Sequence, residues 1–342
     1  MSKLFEPISI GKLTMRNRIV MPPMCMYSAP DGNVADFHVM HYGARSFGGA
    51  ALIIVEATGV EPRGRITDNC LGIYSDSHIA GLSRIVSAIK AGGAVAAIQL
   101  GHGGRKSTAT GGVSEIIAPS AIAYDDKYRT PKAMDDNDIT TVIAAFKEAA
   151  RRAQAAGFDM VEIHGAHGYL LSTFMSPLSN KRSDRYGGGH ENRVRIVGEV
   201  LNAVKSVFSG VICIRVSAED YLPEGNHPAD VAAMINIVKA GTLDLINVSS
   251  ASVAPARFPF FPGYQVKLAE QIKQLTGLPV IAGGLLSSPE HMEDIIANGR
   301  ADMVYVGREL LRNPHFPLFA AQVLRSDFPW PKQYERAAAK PV

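Results

Sequence analysis

The chain has 342 residues, 46% of them hydrophobic, with 35 basic against 32 acidic side chains and a net charge of +3. That is an ordinary globular make-up with material for a large core, and without a block of like charge no nucleic-acid partner is expected. The opening residues 1–7 lack the apolar core of a secretory signal, no apolar stretch reaches the ~18 residues of a membrane span, and Cys25, Cys70 and Cys213 form no CxxC pair, so a cytoplasmic protein without membrane, disulfide framework or metal is expected.

Along the chain, short apolar runs alternate with amphipathic stretches. Residues 18–21 form the first run, closed by Pro22 and Pro23, and 51–55 the second. An amphipathic stretch over 77–90 leads to the third run, 94–98. A Gly/Ser/Thr-rich excursion, 101–131, then precedes a predicted helix over 138–155, in which Ile139, Val142, Ile143, Phe146, Ala149 and Ala150 share one face. The fourth run is 159–163, and a polar excursion over 172–189 separates it from a predicted helix over 192–207. From there run and helix alternate: 211–216, helix 228–239, 243–248, helix 264–274, 279–282, helix 289–297 and finally 302–306. A tail rich in Pro, Phe and Arg begins near residue 314.

Continuous rather than alternating apolarity suits strands covered on both faces. Eight of them alternating with helices predict a closed, parallel eight-stranded (β/α)8 barrel. The alternative is a doubly wound open sheet, but no GxGxxG turn follows the first strand. Both long excursions leave the carboxyl ends of strands, where barrel enzymes carry their chemistry.

The residues closing the runs form a consistent set. Gly283 and Gly284 follow the seventh strand, and Gly307 with Arg308 the eighth, where barrels commonly bind phosphate. Glycine lets backbone N–H groups approach the anion, and arginine adds a forked cation; the plain alternative is that these are turn residues. His164 and His167 stand three apart after the fourth strand. They can be two structural histidines, two of three metal ligands, or two neutral donors aimed at one oxyanion, with Tyr169 close enough to deliver a proton. Arg215 lies in a strand, where an unpaired cation is costly, so it should face an anion of the protein or of a ligand. Cys25 can simply be a small buried hydrophobe.

Three blocks then stand together: Pro23-Met24-Cys25-Met26-Tyr27-Ser28, Gln99-Leu100-Gly101-His102-Gly103-Gly104-Arg105-Lys106 and His164-Gly165-Ala166-His167-Gly168-Tyr169. With Arg185-Tyr186-Gly187-Gly188, Glu191-Asn192-Arg193, Val306-Gly307-Arg308-Glu309-Leu310-Leu311 and Gln333-Tyr334-Glu335-Arg336, they resemble the Old Yellow Enzyme family, in its thermophilic-like NADPH dehydrogenase subclass. The resemblance implies one FMN-binding barrel domain over 1–342, with the tail from about 314 at a subunit contact of a homodimer or homotetramer. It implies an ene-reductase that takes electrons from NADPH or NADH and reduces the activated C=C bond of enones or nitro compounds in ping-pong order. By matching motifs, Pro22, Pro23, Met24, Cys25, Ala57, Gln99 and Arg215 line the flavin, while Gly283, Gly284, Gly307 and Arg308 hold its phosphate. His164 and His167 grip the substrate carbonyl, Tyr27 touches the substrate, Tyr169 donates the proton, and Arg336 reaches a neighbouring subunit's site. A phosphate-binding barrel lyase or isomerase without redox chemistry is the alternative function.

Overall fold

The computed structural model describes residues 2–111 and 115–338. Residues 112–114 of the first excursion and 339–342 of the tail lie outside the described residues. Eight parallel strands close a barrel in chain order: β1 (Ile19–Met21), β2 (Leu52–Gly59), β3 (Val95–Gly101), β4 (Met160–Gly165), β5 (Val211–Ser217), β6 (Leu245–Ser249), β7 (Val280–Ala282) and β8 (Met303–Tyr305). Closure comes from β8 pairing with β1, Val304 opposite Ile19 and Tyr305 opposite Val20. All eight apolar runs are these strands, and β2 and β3 run on into the polar residues that follow them.

The even apolarity of the runs has a direct cause. Leu52, Ile54, Ala97, Met160, Val211, Cys213, Leu245 and Met303 pack together as one cluster in the lumen. Their alternating neighbours Ile53, Val55, Ile98, Val161, Ile212 and Ile246 belong to the shell cluster under the helices. Both faces are dry, so both sets are hydrophobic. An antiparallel hairpin, Ile8–Ile10 with Leu13–Met15, adds Ile10 and Met15 to the lumen cluster. A Cβ on its Gly11 would lie 3.1 Å from Val211, the first residue of β5. The hairpin therefore plugs the amino end of the barrel and leaves the carboxyl end for the site.

The predicted helices are present as α2 (His78–Ala91), α3 (Asp136–Ala156), α5 (His190–Lys205), α6 (Pro228–Val238), α7 (Val266–Thr276) and α8 (Pro289–Ala297). Two further helices interrupt stretches that show no apolar period. The interval after β1 holds α1 (Asp36–Phe47), whose buried residues are His38, His41, Tyr42, Gly43, Arg45 and Ser46. The polar excursion after β4 begins inside α4 (Leu170–Met175). Beyond β8 follow α9 (Arg308–Arg312) and α10 (Phe316–Val323). Among the described residues no helix is long and apolar enough to cross a membrane.

Helix α3 starts on a reciprocal cap. Asp138 donates its backbone N–H to the Asp135 carboxylate at 2.9 Å, and Asp135 returns its own N–H to the Asp138 carboxylate at 3.3 Å. Asp135→Ala should cost about 1 kcal/mol of stability. A urea midpoint that falls without a change of slope checks it, and an unmoved midpoint contradicts it.

Candidate active site

The side chains pointing into the lumen change character as each strand climbs. On β4 the sequence is Met160, Glu162, His164; on β5 it is Val211, Cys213, Arg215, Ser217; on β6 it is Leu245, Asn247, Ser249. The parallel register sets Glu162 beside Gln99 and Cys213, and His164 beside Arg215. Glu162 is fully buried and accepts from the Gln99 amide at 2.7 Å, the Asn247 amide at 2.8 Å and the Cys213 thiol at 3.6 Å. Burial pushes its carboxyl above the usual range, against the pull of Arg215 and these donors. This layer is the polar floor on which the mouth stands.

On that floor His164, His167 and Tyr169 come together. The His164 ring meets His167 edge-on at 5.3 Å and Tyr169 at 4.9 Å. Burial first, then Arg215 and Lys106, hold both imidazoles well below the ordinary histidine range, so both are neutral. Ala166 donates its backbone N–H to His164 Nδ1 at 3.4 Å, which leaves the proton on Nε2 as a donor. His167 sits at a positive φ of 61° and pairs its Nε2 with Ser249 Oγ at 2.7 Å. Among the described residues no group of three His, Cys, Asp or Glu side chains is placed to hold a metal ion. Tyr169 precedes α4, and burial raises its phenol far above the tyrosine range.

Ser249, Gln265 and Tyr305 join the mouth without a local sequence signal, and Lys106 joins it from the end of the 99–106 block. Lys106 donates to the His167 carbonyl at 3.0 Å and the Ser252 carbonyl at 3.3 Å, and lies 5.4 Å from the Tyr169 ring centre. Burial, reinforced by Arg105, pulls its ammonium down to about 8. Gln265 donates to Ser249 Oγ at 3.2 Å and Ser250 Oγ at 2.9 Å, and accepts from the Tyr305 hydroxyl.

A cavity of about 320 Å³ opens beside this cluster. Its wall includes His167, Arg215, Ser249, Gly284, Gly307 and Arg308, and its size falls in the range of small-molecule sites. A narrow crevice is lined by Ala57, Gly101, His102, His164 and Tyr169. Arg215 is 8% exposed and stacks 5.3 Å above the Tyr305 ring. Its Nε has no hydrogen-bond partner, and among the described residues no carboxylate comes within ion-pair distance. A buried cation in that condition fits an electron-rich ligand in the cavity.

The remaining predicted residues distribute around this centre. A Cβ on Gly307 would meet Met24 Sδ at 3.5 Å and Pro22 Cγ at 3.8 Å, so the Pro22–Met24 segment borders the Gly307 edge. Gly284 has a φ of 97°, and Gly283 is a glycine because the Tyr305 ring occupies the space of a side chain. Burial, then Cys70 and Glu56, push the Cys25 thiol upward. Tyr27 stands at φ 51° and is 48% exposed, at the rim. Arg336 is exposed on the turn Lys332–Ala337, away from the cavity wall.

A flavin fits these residues: a buried arginine whose Nε has no partner, a cavity of adequate volume, and a glycine-lined edge with a second arginine. Comparison with known proteins agrees. The model of the NADH:flavin oxidoreductase / NADH oxidase family matches residues 3–327. An NADPH dehydrogenase of Clostridium acetobutylicum is 52% identical over 339 residues, 98% of this chain and 99% of that protein. One of Geobacillus thermodenitrificans is 50% identical over 335 residues, 97% and 98% of the two chains. A solved structure of morphinone reductase in complex with tetrahydroNAD is similar with a TM-score of 0.81 and 28% identity, over 97% of this chain and 93% of that one.

Proposed function

We propose that this chain, which belongs to the NADH:flavin oxidoreductase / NADH oxidase family, reduces the activated C=C bond of α,β-unsaturated carbonyl and nitro compounds with electrons from NADPH or NADH. It is an FMN-dependent oxidoreductase of the Old Yellow Enzyme family, about half identical to proteins named NADPH dehydrogenase. One observation carries the substrate reading: two neutral imidazoles stand side by side, His164 with the protonated Tyr169 phenol on a narrow crevice and His167 with the buried Arg215 on the cavity wall.

Bound FMN supplies the two-electron carriage between the nicotinamide and the conjugated bond. Pro22, Pro23, Met24, Cys25, Ala57, Gln99 and Arg215 would hold its ring, and Gly283, Gly284, Gly307 and Arg308 its phosphate. His164 and His167 grip the substrate's carbonyl or nitro oxygen. Their N–H groups gain most when negative charge has moved onto that oxygen, so they favour the transition state over the ground state. Tyr169 delivers a proton to the α-carbon, and Tyr27 contacts the substrate from the rim. Arg215 would present a cation to the cofactor from the cavity wall. Cys25, kept as a thiol, shapes the surroundings of the ring and does not act as a nucleophile.

One mouth serves both reactants, so donor and enone bind in turn, in ping-pong order. We place the enzyme in the cytoplasm as a homodimer or homotetramer, residues 1–342 forming one FMN-binding unit. The tail from about 314 lies at the subunit contact, where the exposed Arg336 reaches the neighbour's mouth.

The test is a visible spectrum of the purified protein supplied with FMN, followed by anaerobic NADPH and then 2-cyclohexenone. NADPH should bleach the flavin bands and the enone should restore them. A colourless protein would favour a phosphate-binding lyase or isomerase, and bleaching without recovery would remove the ene-reductase reading.

A further inference from the structure

The loop between β6 and α7 leaves the same mouth as the site and exposes three aromatic rings: Phe258 by 36%, Phe260 by 57% and Phe261 by 53%. All three rings lie against Tyr264, Phe261 edge-on at 6.5 Å. Phe258 stacks between Tyr221 at 5.5 Å and Tyr264 at 5.9 Å, both within 25° of parallel. Phe260 leans on Phe258 at 6.1 Å and on Tyr264 at 5.6 Å. The group is tied to the seventh strand's glycine turn. Gly263 donates its N–H to the Gly284 carbonyl at 2.6 Å, and the Tyr264 ring lies 2.8 Å from where a Gly284 Cβ would be.

Against the outermost ring lies the arginine of the eighth strand's turn. The Arg308 guanidinium carbon is 5.3 Å from the centre of Phe260. Arg312, the neighbouring cation in the cavity wall, is spent on Glu309 at 2.6 Å. Among the described residues no carboxylate comes within ion-pair distance of Arg308, which is itself exposed. An exposed arginine without a partner samples many rotamers. A ring face attracts the flat guanidinium and narrows that set while leaving its N–H fork free.

We infer that Phe260 is a positioning residue for the cofactor: it holds the Arg308 fork at the Gly284–Gly307 edge and so strengthens the grip on the phosphate group of FMN. The inference rests on the reading of that edge as the phosphate site. Riboflavin, which shares the ring and ribityl chain but lacks the phosphate, separates the two ideas. Holoenzyme is equilibrated with excess riboflavin, and the bound FMN-to-riboflavin ratio is read after separation. Phe260→Ala should narrow the preference for FMN by about two- to five-fold, the size of an exposed cation–π contact, and Phe260→Trp should keep it. Arg308→Met should narrow it too, and adding Phe260→Ala should then change little, because the two act as one unit. A purely structural role for the ring would weaken both flavins alike, and an unchanged ratio in Phe260→Ala would equally overturn the inference. If the native enzyme itself shows no preference for FMN, the phosphate site is wrong and the clasp falls with it.

Discussion

His164→Ala is expected to lower enone turnover on the order of a hundredfold while the protein keeps its FMN, since one lost oxyanion donor costs about 3 kcal/mol. Three features put the effect at the chemical step. The ring is buried and held neutral by burial, Arg215 and Lys106, so its contribution is a directed N–H and not a mobile charge. The Ala166 N–H on Nδ1 places the remaining proton on Nε2. His164 borders the crevice beside the cavity, whereas the glycine edge and Arg308 lie on the cavity's own wall. The decisive measurements are kcat/KM for 2-cyclohexenone and flavin content by absorbance. Lost turnover with full flavin supports the donor role, and unchanged turnover refutes it. His164→Asn, which restores an N–H donor, should recover part of the loss.

The barrel could be read from the sequence because its evidence is local. A strand between lumen and helix shell must be apolar on both faces, and the run over 159–163 shows that even with Glu162 inside it. Helix α1 escaped for the opposite reason. Its inward face carries His38, His41 and Arg45, Arg45 donating to the Leu310 carbonyl at 3.1 Å across the fold, so no apolar period marks it. The motif residues of the mouth were legible as motifs, but the groups that set their properties were not. Ser249 is 82 positions from His167, and Asn247 is 85 from Glu162. Only barrel closure makes such residues neighbours. Glu162 did leave a trace: a carboxylate between Val161 and Ile163, inside the strand, has to be satisfied across the lumen.

The second large effect concerns the proton. Tyr169→Phe should slow reoxidation of the reduced enzyme by an enone by roughly 10²–10⁴, the usual contribution of a positioned general acid, and leave reduction by NADPH within about twofold. The asymmetry follows from the phenol's surroundings. Burial, then Cys25 and Tyr27, raise it far above the tyrosine range, so it stays protonated at neutral pH and yields its proton only to a strongly basic carbon. That carbon exists only in the oxidative half. The pH profile adds an independent check. A raised phenol cannot cause an alkaline limb below the ordinary tyrosine value of about 10. Lys106, pulled down to about 8 and donating to the His167 carbonyl, can. As pH rises through that value the ammonium loses its charge beside the mouth, and activity should fall. This limb should persist in Tyr169→Phe and vanish in Lys106→Met. Stopped-flow measurement of each half-reaction across pH 6–10 resolves both points, and equal slowing of the two halves would remove Tyr169 as the proton donor.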